Sequence, residues 1–220
     1  MSGSNDLALG YLGLRRAIGT LGLALPVVLL AGGAVLFDAG QQPSISDYHG
    51  TGMRDVFVGL LFAIGVFLWA YRGYDRADAW TGRFAGTCAV AVALFPNTGG
   101  TKVVHFTAAA LFFLALAGFS FFLFTKSSEP KDERPAGKRR RNAVYRACGI
   151  GIVVCIGLIL AYKGVEGDIA WLDTIGPVFW LEALAVWLFG ASWLVKGDAL
   201  EKGIVPERVQ AYFRQEQAGA

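Results

Sequence analysis

Residues 103–125 read VVHFTAAALFFLALAGFSFFLFT, an apolar run with one ionisable side chain, His105, and a lysine at each border, Lys102 and Lys126. At ~1.5 Å per helical residue the run outlasts the ~30 Å hydrocarbon layer of a bilayer, so it predicts a membrane-crossing helix. Working outward, runs of the same character occur at 17–37, 55–71, 79–95, 143–162 and 174–195. The run 79–95 contains Arg83, whose long side chain can reach an interface from near a helix end. The whole chain is 55% hydrophobic and 17% charged, with a mean hydropathy of +0.48, more apolar than a soluble domain of 220 residues. The expectation is an all-α polytopic bundle of six transmembrane helices in one membrane domain.

Lysine and arginine set the orientation. With the amino terminus in the cytoplasm, 17 of the 20 basic residues fall on that side, and only Arg54, Lys102 and Lys163 fall outside. Both termini are therefore expected in the cytoplasm, in a plasma membrane or a bacterial inner membrane. The chain divides into a four-helix half (17–125), a basic cytoplasmic loop (126–142), a two-helix half (143–195) and a cytoplasmic tail (196–220). The loop has no apolar face and two prolines, so it reads as flexible; its Lys138 to Arg141 run serves topology more readily than a specific anionic headgroup. In the tail, 206–215 can form a short interfacial helix. The first run is too long for the core of a cleaved signal and is expected to remain, with Arg15 and Arg16 as topology anchors.

Cys88, Cys148 and Cys155 all lie inside apolar runs, so buried thiols are expected and no disulfide. Small residues recur at every fourth position at Ala85, Ala89 and Ala93, and at Ala147, Gly151 and Cys155. That spacing predicts close packing of helices three and five, with homo-oligomerisation as its alternative use.

An ionisable group at the centre of a membrane helix costs ~2.5–3.5 kcal/mol on insertion scales, so each one asks for a partner or a purpose. Asp55 opens helix two, His105 comes early in helix four, and Glu182 is eight residues into helix six, all in the outer half. These three are the candidate catalytic residues. The first outer loop adds Ser44, Ser46, Asp47 and Arg54, and Lys102 precedes helix four; these five are the candidate binding residues. His49, in the same loop, is set aside, and the inner half holds nothing comparable. Both histidines with Asp55 or Glu182 would supply three zinc ligands, yet no two histidines stand one helical turn apart, so no metal or other cofactor is assigned. Without metal, a carboxylate and an imidazole can share acid and base work or bind a headgroup. Two histidines near one surface do not suit transmembrane haem ligation, no Walker-type glycine loop occurs, and no nucleic-acid module is present.

Pro43-Ser44-Ile45-Ser46-Asp47 after the first helix, Leu94-Phe95-Pro96 closing the third and His105 opening the fourth resemble the Frag, DRAM and Sfk group and related bacterial six-span proteins. The resemblance covers 37–124 and carries over to Ser44, Ser46, Asp47 and His105. Eukaryotic members of that group are associated with remodelling of glycosylphosphatidylinositol anchors, with plasma-membrane lipid distribution and with autophagy, so the resemblance implies lipid handling. The leading expectation is a protein that recognises or remodels a lipid headgroup at the outer leaflet, with membrane lipid as its partner. The alternatives are an intramembrane hydrolase, with or without zinc, a small transporter or channel, and a structural or regulatory subunit. Transport is disfavoured because Pro26 alone interrupts a helix near its centre and the inner half is apolar.

Overall fold

The computed structural model describes residues 2–73, 75–126 and 136–201. The fold is 83% helix, and no strand occurs among the described residues. Among the described residues, six long α-helices and one short one follow in chain order: α1 (Ser2–Leu36), α2 (Arg54–Ala70), α3 (Arg76–Leu94), α4 (Lys102–Gly118), α5 (Ala136–Lys163), α6 (Ala170–Ile175) and α7 (Pro177–Glu201). A π-helical turn, Phe119–Leu123, continues α4. Among the described residues, four stretches are long and apolar enough to cross a membrane: Leu12–Leu36, Gly99–Leu123, Ala136–Lys163 and Pro177–Gly197. By contrast α2 has only 17 residues, and α3 includes Arg76, Asp78 and Arg83.

Two helices extend beyond their apolar runs. α1 begins at Ser2 rather than near residue 17, and α5 begins at Ala136, so 136–142 of the expected flexible loop is helical. The reason is local: lysine and arginine are good helix formers, and Pro135 directly precedes the first helical residue. The remainder of the loop, 127–135, and the expected tail helix at 206–215 lie outside the described residues. The helix ends have ordinary causes. The Asp75 carboxylate caps α3 by accepting from the Asp78 N–H at 3.0 Å, and Gly176 (φ 66°) ends α6 so that Pro177 can open α7.

α1 packs on α2, α2 on α3, α3 on α4, α4 on α5, α5 on α7, and α7 back on α1, so the six long helices form a closed ring. Two seams depend on glycine. A Cβ on Gly19 would stand 2.9 Å from the Gly190 carbonyl oxygen, and one on Gly190 would stand 2.7 Å from that of Gly19, so α1 and α7 touch backbone to backbone. Gly65 and Gly86 do the same for α2 and α3, beside the buried Ala85, Ala89 and Ala93. On α5 the expected small face is used at Cys155, which is buried, and at Gly151, where a Cβ would stand 2.6 Å from a Leu188 methyl, while Ala147 is exposed; Gly149 adds a close approach to the Phe121 N–H and the Ala117 carbonyl. All three cysteines are buried free thiols.

The end of the ring near Arg15 departs from expectation. Arg15 is buried, as are Asp78 and Lys196, so this end has an ionic interior rather than an apolar one, and Arg15 is more than a surface anchor. The Arg15 guanidinium donates to the Tyr71 hydroxyl at 3.1 Å and lies over its ring; Tyr71 in turn meets the edge of Trp193 at 4.8 Å. Lys196 and Lys138 both donate to the Phe124 carbonyl, at 3.2 and 3.3 Å, capping acceptors that the end of a helix leaves open. Lys126 bridges Asp75 and Asp78 at 2.8 Å each.

This bridge makes stability depend on acid pH. The Lys126 hydrogen bond, with the Asp78 N–H second, holds the Asp75 carboxyl below its ordinary 3.8; burial opposes the Lys126 ammonium, but its hydrogen bonds to Asp75 and Asp78 outweigh this and raise it above 10.5. A depressed carboxyl contributes above its unfolded value and loses that contribution as pH falls through the folded one; a raised ammonium loses its contribution only as pH rises through its folded value. The contribution of this bridge to the thermal midpoint in detergent should therefore be level from about pH 5 to 9 and be lost below about pH 4. Since Asp75 is half exposed, its share is about 0.5 kcal/mol, and Asp75→Asn should shrink the acid fall by that much. An acid limb of equal size in that variant would assign the loss to other groups.

Candidate functional site

Between α1 and α2 the chain forms a plug over the other end of the ring. Asp38 takes a left-handed φ of 49°, turning the chain out of α1, and the Ala39 N–H returns to the Gly33 carbonyl at 2.9 Å. The Phe179 N–H donates to the Pro43 carbonyl at 3.1 Å and the Gln41 side chain to the Ile175 carbonyl at 2.8 Å, fastening the plug to α6 and α7. A 3₁₀ turn, Ser46–Gly50, follows, with Tyr48 fully buried and its hydroxyl donating to the Gly40 carbonyl. Burial holds the Tyr48 phenol above its ordinary 10.0, so this donor persists through neutral pH.

The polar groups of the plug are tied in two sets. In the first, the Glu182 carboxylate accepts from the Ile45 N–H at 2.7 Å, and the next residue, Ser46, lies 2.9 Å from His105 Nε2. His105 Nδ1 is 2.6 Å from the Phe95 carbonyl oxygen, which can only accept, so Nδ1 carries the proton and Nε2 accepts from the Ser46 hydroxyl. Phe95 has extended backbone beyond α3 and precedes Pro96, which frees its carbonyl for the imidazole. In the second set Asp47 accepts from the Ser44 hydroxyl at 2.8 Å and from the Asn97 amide at 2.6 Å.

The sets border different spaces. Ser46 and Glu182 face a cavity of about 40 Å³ inside the ring, otherwise walled by apolar side chains from α1, α2, α3, α4 and α7 and by Ile45. Asp47, His49, Asn97, Thr98 and Gln42 line a depression of about 300 Å³ on the outward face of the plug. His49 is buried against the edge of Phe57, and its Nε2 has no hydrogen-bond partner.

Of the expected catalytic group, His105 and Glu182 are thus joined through the consecutive residues Ile45 and Ser46. Asp55 is not brought to them: its side chain is 95% exposed and lies 3.7 Å from Arg54. Ser44, Ser46 and Asp47 all belong to the plug network, whereas the exposed Arg54 and Lys102 line neither space. Lys102 instead reaches over the Phe106 ring. No group of three or more His, Cys, Asp or Glu residues stands together as metal ligands among the described residues. Sequence reasoning missed three participants. Asn97 and a main-chain carbonyl such as that of Phe95 carry no chemical signature in sequence, and His49 stands outside the expected binding set although it, like Ser46 and Asp47, belongs to a short polar cluster between apolar runs.

No known family, no characterised protein and no solved structure is significantly similar to this chain.

Proposed function

We propose that the protein is a six-span membrane protein, both termini cytoplasmic, that holds a single lipid across its plug: headgroup in the outward depression, start of an acyl chain toward the ring cavity. The observation that supports this reading is the division of one short segment, Ile45 to His49, between an apolar space and a polar one. α2 and α3 count as spans in this reading because each is a full member of the ring between α1 and α4. Their length and charge are those of helices shielded by neighbours on both sides.

The depression selects for headgroup chemistry. It presents a carboxylate, two amides, a threonine and a histidine, and no lysine or arginine. The Asp47 carboxylate already accepts two hydrogen bonds and has lone pairs to spare, which suits an ammonium or hydroxyl group better than an anionic one. The likeness of 37–124 to the Frag, DRAM and Sfk group, which rests on the short motifs at 43–47, 94–96 and 105 and on no family match, points the same way.

Native mass spectrometry of the protein released from detergent tests the reading. The expected result is a retained lipid with an amine or hydroxyl headgroup, lost at least about tenfold in Asp47→Ala, the size expected for a charge-assisted contact worth ~1.4 kcal/mol or more. Equal retention of phosphatidic acid, or no change in the variant, would remove the headgroup assignment. Cysteines placed at Ser128 and Gly167 should label from opposite membrane faces, and labelling from one face would remove the span count.

A further inference from the structure

We propose that Ser46 and His105 are a nucleophile and base that cleave a fatty ester whose ester end enters the ring cavity. The inference rests on the lipid-holding reading above and names its chemistry. Ser46 Oγ lies 2.9 Å from His105 Nε2, and the Phe95 carbonyl, 2.6 Å from Nδ1, fixes the tautomer in which Nε2 can take a proton. A nucleophile, a base within hydrogen-bond reach and a third group orienting the base are the parts that covalent acyl transfer requires. The third group is held in turn: Phe95 lies between the end of α3 and Pro96.

Ser46 is also anchored on both sides. Glu182 holds the preceding residue by its N–H, and the Ser44–Asp47 hydrogen bonds close a loop around the serine. A hydroxyl present only to satisfy an imidazole needs no open space, yet Ser46 borders the cavity, whose lining includes Phe57, Phe112 and Val186. By volume the cavity takes about three water molecules, but its apolar walls favour hydrocarbon, the ester end of an acyl chain. The depression on the other face of the plug would then receive the alcohol part.

The reaction is balanced without a cofactor. Ser46 Oγ adds to the ester carbonyl carbon while His105 Nε2 takes the hydroxyl proton; the bond to the alkoxide breaks, and His105 returns the proton to the departing alcohol. Water then adds to the acyl-serine carbon with His105 as base, and Ser46 regains its proton as the fatty acid leaves. The sum is ester plus water to acid plus alcohol.

The experiment uses the full chain in detergent, checked first for retained lipid, then treated with a long-chain alkyl fluorophosphonate. The expected result is a phosphonyl adduct on Ser46, found by peptide mass, forming about 100-fold or more slowly in His105→Gln. Ser46→Ala should take no adduct, and Ser46→Cys, which can retain contact with His105, serves if the alanine variant does not fold. No adduct on Ser46 in wild-type protein that retains lipid, or equal labelling in folded His105→Gln, overturns the proposal while leaving lipid binding intact. Wild-type protein that retains no lipid overturns the binding reading instead.

Discussion

Gly86→Leu should lower the thermal midpoint in detergent by roughly 10 °C or more, corresponding to a loss of about 3 kcal/mol or more at the upper end of overpacking costs. Gly86 faces the backbone of Gly65 and the ring of Trp69, and even the first carbon of a side chain there collides with the Gly65 carbonyl. Backbone cannot rotate aside as a flexible side chain can, so α2 and α3 must separate. In lipid that contact is what holds the pair, since hydrocarbon solvates apolar faces as well as the other helix does. Gly59, on α2, supplies the control. It is exposed with open space at its Cβ position, so Gly59→Leu should stay within about 0.5 kcal/mol of wild type. Equal midpoints for the two variants would show that α2 and α3 do not meet at Gly86.

Glu182→Leu should release the plug. The Glu182 carboxylate is the acceptor for the Ile45 N–H, and leucine would leave that group without its partner at a cost of about 1–3 kcal/mol. Amide hydrogen exchange across 45–49 should quicken about 10- to 100-fold, and retained lipid should fall with it. Glu182→Gln keeps an oxygen in place and should preserve the protection. Unchanged exchange in Glu182→Leu would mean that the remaining contacts of the plug, such as Phe179 to Pro43, hold it alone.

The helices were legible because each apolar run lies within or near one element, although only four stretches among the described residues are long and apolar enough to cross a membrane. The ring order was not, since a run of leucine, valine and phenylalanine does not say which helix it touches; small residues alone marked contact faces, at Ala85, Ala89 and Ala93 and at Gly151 and Cys155. Charge was legible as a census and misleading in detail. Arg16 is exposed beside the buried Arg15, and a topological rule that counts both alike cannot show that one lies against Tyr71. Within the site, His105 and Glu182 were found by the cost of ionisable groups in lipid. That argument also selected Asp55, which the end of α2 leaves exposed, and passed over His49, which the turn of the plug buries. The Ser46–His105 pair spans 59 residues and depends on the plug folding back over the ring.

Among the described residues, the seam between α1 and α7 joins the first helix in chain order to the last. While the chain is synthesised, the Gly19 face of α1 has no partner until α7 leaves the ribosome, and α5 waits for the same neighbour. Final closure is thus a late event in biogenesis. A chain stopped before α7 carries two open flanks, one on α1 and one on α5, and those flanks are where membrane quality control can distinguish an unfinished protein from a complete one.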